Sequence, residues 1–252
     1  MFEEIEARWS EGAEGYNDIV REQLANKRDV AHWLKELHAC LGDKERQKVL
    51  DVGCGPGFFS IMLARLGHEV TSIDGAEGMV ACARQNFTAE GKKINLYLGD
   101  AVTLEREKNC SLDAIVSRDV VWTLYDPEKA FARWHEVLKP GGKVIIFDGN
   151  YRRGIRSLKL SAWQFLSKVL VFITEKRVWG KGSRDGDAAM SQLPLPKVER
   201  PAKDEELLRK TGYSIIRVAP DVYRNSFRRL EYWKYGYQGK KFVVIAQKPN
   251  KC

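Results

Sequence analysis

From residue 48 onward, short apolar runs alternate with stretches whose apolar positions recur every three or four residues. The runs KVLDV (48–52), EVTSID (69–74), INLYLG (94–99), LDAIVS (112–117) and GKVIIFD (142–148) read as strands. Helical spacing fills 57–66, 76–90 and 127–138 between them, and KPGG (139–142) reads as the turn that closes the last of these helices. Strict alternation with short connections predicts an α/β fold with a doubly wound, Rossmann-like parallel sheet. Upstream, residues 16–41 carry apolar positions at helical spacing and predict one or two helices. Downstream, KDEELLRKTG (203–212) reads as a helix stopped by Gly212, followed by strands at 213–219 and 241–248. The connection between those two strands holds no predicted crossover helix, so they should pair antiparallel. The expectation is seven strands with the last one antiparallel.

Residues 150–203 break the alternation. They open with a basic amphipathic stretch, whose apolar positions include Ile155, Leu158, Ala162, Leu166, Val169 and Ile173, and continue into a Gly- and Pro-rich loop. The chain thus divides into an N-terminal helical cap (1–47), a core (48–149), an insertion that reads as a lid (150–203) and a C-terminal helix and strand pair (204–252).

Composition narrows the class. With 44% hydrophobic and 10% aromatic residues the chain has the makings of a packed core. No run of about 18 uncharged apolar residues appears, so no membrane span is expected. The start is acidic and lacks a secretory pattern, and the five cysteines show no metal-binding or disulfide spacing. A cytoplasmic protein without a metal site is expected. The net charge of +8 is unevenly placed: residues 150–185 hold nine Lys and Arg against two Asp and Glu, as do residues 217–252, while the first 149 residues are net acidic.

The chemistry concentrates in VLDVGCGPGF after the first strand. Its third fingerprint position for dinucleotides, counted from Gly53 and Gly55, is Phe58 rather than glycine, and no P-loop lysine follows. What remains is a tight turn whose backbone comes close to a ligand. Asp51 can meet a cation there, and Asp74, ending the second strand, can bind a ribose diol. The ligand so described has a ribose, a positive amino group and no phosphate.

The stretches VLDVGCGPGF, SID, LGDA (98–101) and DAIVSRDVVWTLYDPEKAFARWHEVLKPGGKVIIFD resemble the class I S-adenosylmethionine-dependent methyltransferases of the small-molecule type. The resemblance implies S-adenosyl-L-methionine as cofactor. It implies that Asp51 and the loop of Gly53, Cys54, Gly55 and Gly57 hold the methionine moiety. Asp74, with Gly75 after it, holds the ribose; Met79 packs on adenine; Asp100 meets the adenine amino group, with the Ala101 N–H beside it. Ser117 and Arg118 line the methionine side, and Tyr16 joins from the N-terminal segment.

The transferred methyl needs a positioned nucleophile and exclusion of water. The polar groups expected on the correct sheet edge are Asp119, Asp148, Asn150, Tyr151 and Tyr16. Asp119 is the first choice for orienting or deprotonating the acceptor, with Trp122 as a wall. Of the four histidines only His32 has a path to that edge. A site without a histidine base suits a small acceptor that is anionic or readily ionised. Two other readings of the basic half stand beside this one: RNA binding, giving an RNA methyltransferase, and an interfacial helix over 155–174. The missing base-methylation motif after the fourth strand weighs against the first. Covering the site is the expected role of the apolar stripe. Oligomeric state is not legible.

Overall fold

The computed structural model of the chain describes residues 2–151, 158–175, 190, 192–219, 229–235 and 240–250. Ile155 and the glycine-rich stretch 180–186 of the expected lid lie outside them. The described strands are β1 (Lys48–Val52), β2 (Glu69–Asp74), β3 (Asn95–Leu98), β4 (Leu112–Arg118), β5 (Leu138–Gly149), β6 (Ser214–Ala219) and β7 (Lys241–Gln247). They form one sheet in the order β3-β2-β1-β4-β5-β7-β6. The first five pair in parallel, and β7 runs antiparallel to both β5 and β6. The seven-stranded Rossmann-like sheet with an antiparallel last strand is therefore as expected. Strand order reverses at β1 and β4, so the crevice that holds ligands in such sheets opens beyond their C-terminal ends.

Both faces of the sheet are covered, which is why β1 and β4 can be apolar almost throughout. On one face α6 (Pro127–Val137) and α8 (Ala202–Lys210) bury Phe131, Trp134 and Leu208. On the other, α3 (Lys27–Leu41) and α4 (Phe58–Arg65) bury Trp33, Leu37, Phe58 and Phe59, and Trp33 meets Phe59 and Phe147 edge-on. Helix starts follow their caps. Asn26 accepts from Arg28 N and Asp29 N at the head of α3; Asp126 accepts from Lys129 N at the head of α6, where Pro127 supplies a fixed φ.

Three elements differ from the sequence expectation. KPGG is not a turn before the strand: β5 already begins at Leu138, paired with Leu112, and the register shifts before Ala114 meets Lys143. Gly141 (φ 77°) lets the strand bend through that irregularity without a break. The N-terminal segment forms α1 (Phe2–Glu11) and α2 (Ala13–Ala25) as well as α3; the acidic α1 is held by Ile5 and Trp9, one turn apart. The connection before β7 contains a short helix, α9 (Arg229–Tyr235), packed against α7 (Leu158–Glu175).

The far end of the 150–203 segment is riveted to β5 by a buried ion triad. Arg200 Nη2 lies 2.9 Å from Asp148 Oδ2 and 2.5 Å from Asp204 Oδ1, its Nε donates to Asp204 Oδ2, and its guanidinium covers the Phe242 ring. Asp148 also accepts from Trp122 N. This commits a carboxylate that the sequence places among the groups on the reactive edge; it is 1% exposed and serves packing. Replacing the cation strands two buried carboxylates, a loss of about 3–5 kcal/mol. Arg200→Met should therefore lose that much in urea unfolding, and a loss under about 1 kcal/mol would show that the triad adds no net stability.

Candidate functional site

Tyr16, Asp51, Gly53, Cys54, Gly55, Asp74, Gly75, Met79, Asp100, Ala101, Arg118 and Asp119, all singled out in the sequence, line one cavity at the β1–β4 switch point, whereas Gly57, Ser117, Trp122, Asp148, Asn150 and Tyr151 do not line it. The turn from β1 into α4 makes its floor. At Gly53 an added Cβ would sit 2.3 Å from Val120, and at Gly57 it would sit 2.3 Å from the Phe87 ring; at Gly55 it would meet nothing within 4 Å. The outer two glycines thus let the turn pack against its own protein. Only Gly55 turns its bare face to the cavity. Ser117 is fully buried within β4.

Asp74 joins this turn to the end of β2. Its Oδ2 accepts from Gly55 N at 2.8 Å and its Oδ1 from Ala76 N at 2.9 Å. Burial raises its pKa, and those backbone donors oppose the rise. Cys54 and Gly75 flank these contacts as lining residues, and Met79 from α5 (Glu77–Ala89) adds an apolar wall. Asp100 sits at the next strand end beside Ala101, accepting from Val102 N and, at 2.5 Å, from the Tyr125 hydroxyl.

Asp51 is nearly inaccessible, and its Oδ2 accepts from Ser60 Oγ at 2.5 Å, with Ser72 Oγ donating to Ser60 in turn. Burial pushes its pKa up to about 7, against the lowering effect of Ser60. Arg118 lays its guanidinium over Trp33, Phe58 and Phe59, and donates to Gln23.

Asp119, at φ 58°, presents its carboxylate to Lys241 Nζ at 2.5 Å and to the Tyr151 hydroxyl at 2.8 Å. Tyr151 and Lys241 also touch each other. Burial acts to raise the Asp119 pKa, but Lys241 and Arg118 outweigh it and hold the group below the usual carboxylate range. That makes it a weak base and a dependable hydrogen-bond acceptor.

The roof was not legible in the sequence. Ile5, Glu6 and Trp9 of α1 line the cavity with Tyr16 of α2. Trp9 meets Tyr16 and Trp122 edge-on, and Trp122 packs on Tyr151. Ile5, Trp122, Met190 and Leu193 form one small apolar cluster. The one signal available was the Ile5–Trp9 spacing. Lys241 and Tyr125 were likewise missed, because each reaches the site from a strand end or loop that sequence spacing does not connect to it. Among the described residues no histidine lines the cavity; His32 stacks on Trp33.

Residues 50–146 match the family of methyltransferase domains. A ubiquinone biosynthesis O-methyltransferase of Xanthomonas axonopodis pv. citri is 31% identical over 123 residues, which is 49% of this chain and 52% of that protein. A ubiquinone biosynthesis O-methyltransferase of Idiomarina loihiensis is 33% identical over 111 residues, 44% of this chain and 45% of that protein. The match spans about half the length of these curated relatives or a little less. Among solved structures, phosphoethanolamine N-methyltransferase 2 of Haemonchus contortus, in complex with S-adenosyl-L-methionine, has a TM-score of 0.61 at 22% identity, covering 87% of this chain and 52% of that one. A SAM-dependent methyltransferase of Aquifex aeolicus has a TM-score of 0.55 at 20% identity, covering 85% and 88%. At these identities the two structures establish a shared fold.

The Asp51 environment has a measurable consequence. An aspartate titrates near ~3.9 in an unfolded chain, whereas burial puts Asp51 at about 7 in the fold. Its contribution to stability is therefore complete at acid pH and is lost as pH rises through about 7. Asp51→Asn lacks this titration. Its stability relative to the parent, by urea unfolding without ligand, should rise by on the order of 3 kcal/mol between about pH 4 and about pH 8. A constant difference across that window would mean that the carboxylate ionises in the fold without cost.

Proposed function

The chain carries a class I S-adenosylmethionine-dependent methyltransferase domain, and from that premise we propose that it methylates a small, largely apolar acceptor on a hydroxyl that ionises readily. The observation that carries the cofactor half is the open face of Gly55 beside the Asp74 carboxylate: a ligand can lie against the turn where a side chain would fill the space. Asp74 would hold the ribose hydroxyls and Asp51 the amino group. Met79, Asp100 and Ala101 would frame the adenine. S-adenosylmethionine, when bound, supplies a methyl group on a positively charged sulfur. The acidic lining suits that charge: among the described residues Glu6, Asp51, Asp74, Asp100 and Asp119 face the cavity together with one guanidinium, Arg118.

The same lining revises the expected acceptor. Carboxylates repel a ligand that arrives as an anion, so a hydroxyl compound that arrives neutral fits better than a preformed anion; as its oxygen takes the methyl and the carbon–sulfur bond breaks, its proton would leave by way of Asp119 to solvent. The walls supplied by Ile5, Trp9, Val120 and Leu124 favour an apolar or aromatic body. The similar ubiquinone biosynthesis enzymes are O-methyltransferases by name, which supports oxygen as the nucleophile. Asp119 would accept a hydrogen bond from that hydroxyl and orient it. Lys241 and Tyr151 hold the carboxylate ionised and in place. The α1 helix with Met190 and Leu193 would keep water out.

Calorimetry should show S-adenosylhomocysteine binding in the micromolar range. Gly55→Val and Asp74→Ala should each weaken it by at least about tenfold, since each removes room or a hydrogen-bond partner. A screen of phenols, acids, thiols and amines with tritium-labelled cofactor should label phenols. Asp119→Asn should then lower kcat by roughly 10²-fold with little change in cofactor affinity. Unchanged binding in both cofactor-site variants would remove the cofactor assignment. Label in RNA, with binding that falls steeply with salt, would replace the small acceptor.

A further inference from the structure

The α7–α9 pair carries an apolar surface that the methyltransferase reading does not use. One side of α7 is spent on α9: Ser167 and Val171 are buried there, Trp163 stacks with Tyr232 and Trp233, and the Trp163 indole N–H and the Ser167 hydroxyl donate to the carbonyls of Trp233 and Lys234. The opposite side is just as apolar and faces solvent. Leu158, Phe165, Leu166, Val169, Phe172 and Ile173 recur at spacings of three, four or seven, and Leu158, Phe165 and Ile173 are 91%, 71% and 67% exposed. Among the described residues nothing covers this second apolar face, and an exposed apolar face of that extent marks an interaction site.

Charge says what that partner is. The sequence places no Asp or Glu from 158 to 174, and Lys159 and Lys168 are the charged residues of that stretch; both are exposed. The segments 150–185 and 217–252, which contain α7 and α9, each hold nine basic residues against two acidic. A second copy of the chain docked through this face would bring Lys159 and Lys168 of each copy together with no acidic residue of 158–174 to meet them, which opposes association. An anionic lipid surface attracts them. Trp233 of α9 is 42% exposed, and tryptophan is a side chain suited to the headgroup level. Among the described residues no helix is long and apolar enough to cross a membrane, so the helix would lie on a bilayer rather than span it.

We propose that α7, braced by α9, is a membrane-surface docking element whose outward apolar face enters the headgroup–acyl boundary of an anionic bilayer. In the chain α7 follows β5 and α9 precedes β7, Gly149 of β5 pairs with Lys241 of β7, and Lys241 reaches Asp119 of the cavity. The inference stands apart from the acceptor reading, because it uses none of the cavity residues as contacts.

The test uses the full chain with vesicles of equal parts phosphatidylcholine and phosphatidylglycerol, and with phosphatidylcholine alone. Flotation should show binding to the anionic vesicles that weakens as salt is raised. Phe165→Ser, Phe172→Ser and Ile173→Ser together should reduce it at least about tenfold, the scale of losing large apolar side chains from a buried site. Because these side chains point to solvent, S-adenosylhomocysteine affinity should be unchanged in that variant, which also checks that it folds. No binding to anionic vesicles, or equal binding by the variant, overturns the proposal. A dimer in sedimentation that the substitutions disperse overturns it in favour of a second copy. Loss of S-adenosylhomocysteine affinity in the folded variant overturns it in favour of a lid over the cavity.

Discussion

Asp74 accepts one hydrogen bond from the loop after β1 and another from the loop after its own strand, and the rest of the cavity is placed by that pair of contacts. The Gly55 donor can reach it only because the turn between β1 and α4 is very tight. The turn is tight only because Gly53 and Gly57 let Val120 and Phe87 press against it. A side chain at either outer glycine would push the turn off its neighbours and pull Gly55 away from Asp74. Ligand recognition and core packing therefore share one short segment of backbone, with different glycines serving each.

Electrostatics is divided with similar economy. The cavity gathers carboxylates, and burial raises the pKa of Asp51 and Asp74, so both are costly to ionise. Asp119 is the exception, since Lys241 keeps it ionised at the rim. Two neighbouring aspartates of the β4 and β5 ends thus have separate tasks. Asp119 faces the cavity, while Asp148 is consumed by Arg200 in fastening the chain that returns from 150–203.

The 150–203 segment does two kinds of work. Its later part, Met190 and Leu193, closes an apolar cluster with Ile5 and Trp122 over the reactive edge. Its early part, α7, stands against α9 and turns a second apolar face outward. The sequence reading of 150–203 as a lid does not separate these parts, because an apolar stripe at helical spacing does not name what covers it.

Local regularities were decided by the sequence alone. The alternation of apolar runs and helical spacing placed the strands from 48 to 247 within a few residues, apart from the early start of β5, and the glycine turn with Asp51 and Asp74 pointed to the edge where the cavity lies. These are short-range properties: periodicity follows from which faces are buried, and a turn motif is contiguous. Tertiary structure decided what no spacing encodes. Glu6 and Trp9 reach the site across the whole core, Lys241 meets Asp119 over 122 positions, and Arg200 claims Asp148 over 52. The role of a carboxylate depends on which cation the fold brings to it, and that pairing exists only once distant segments have packed.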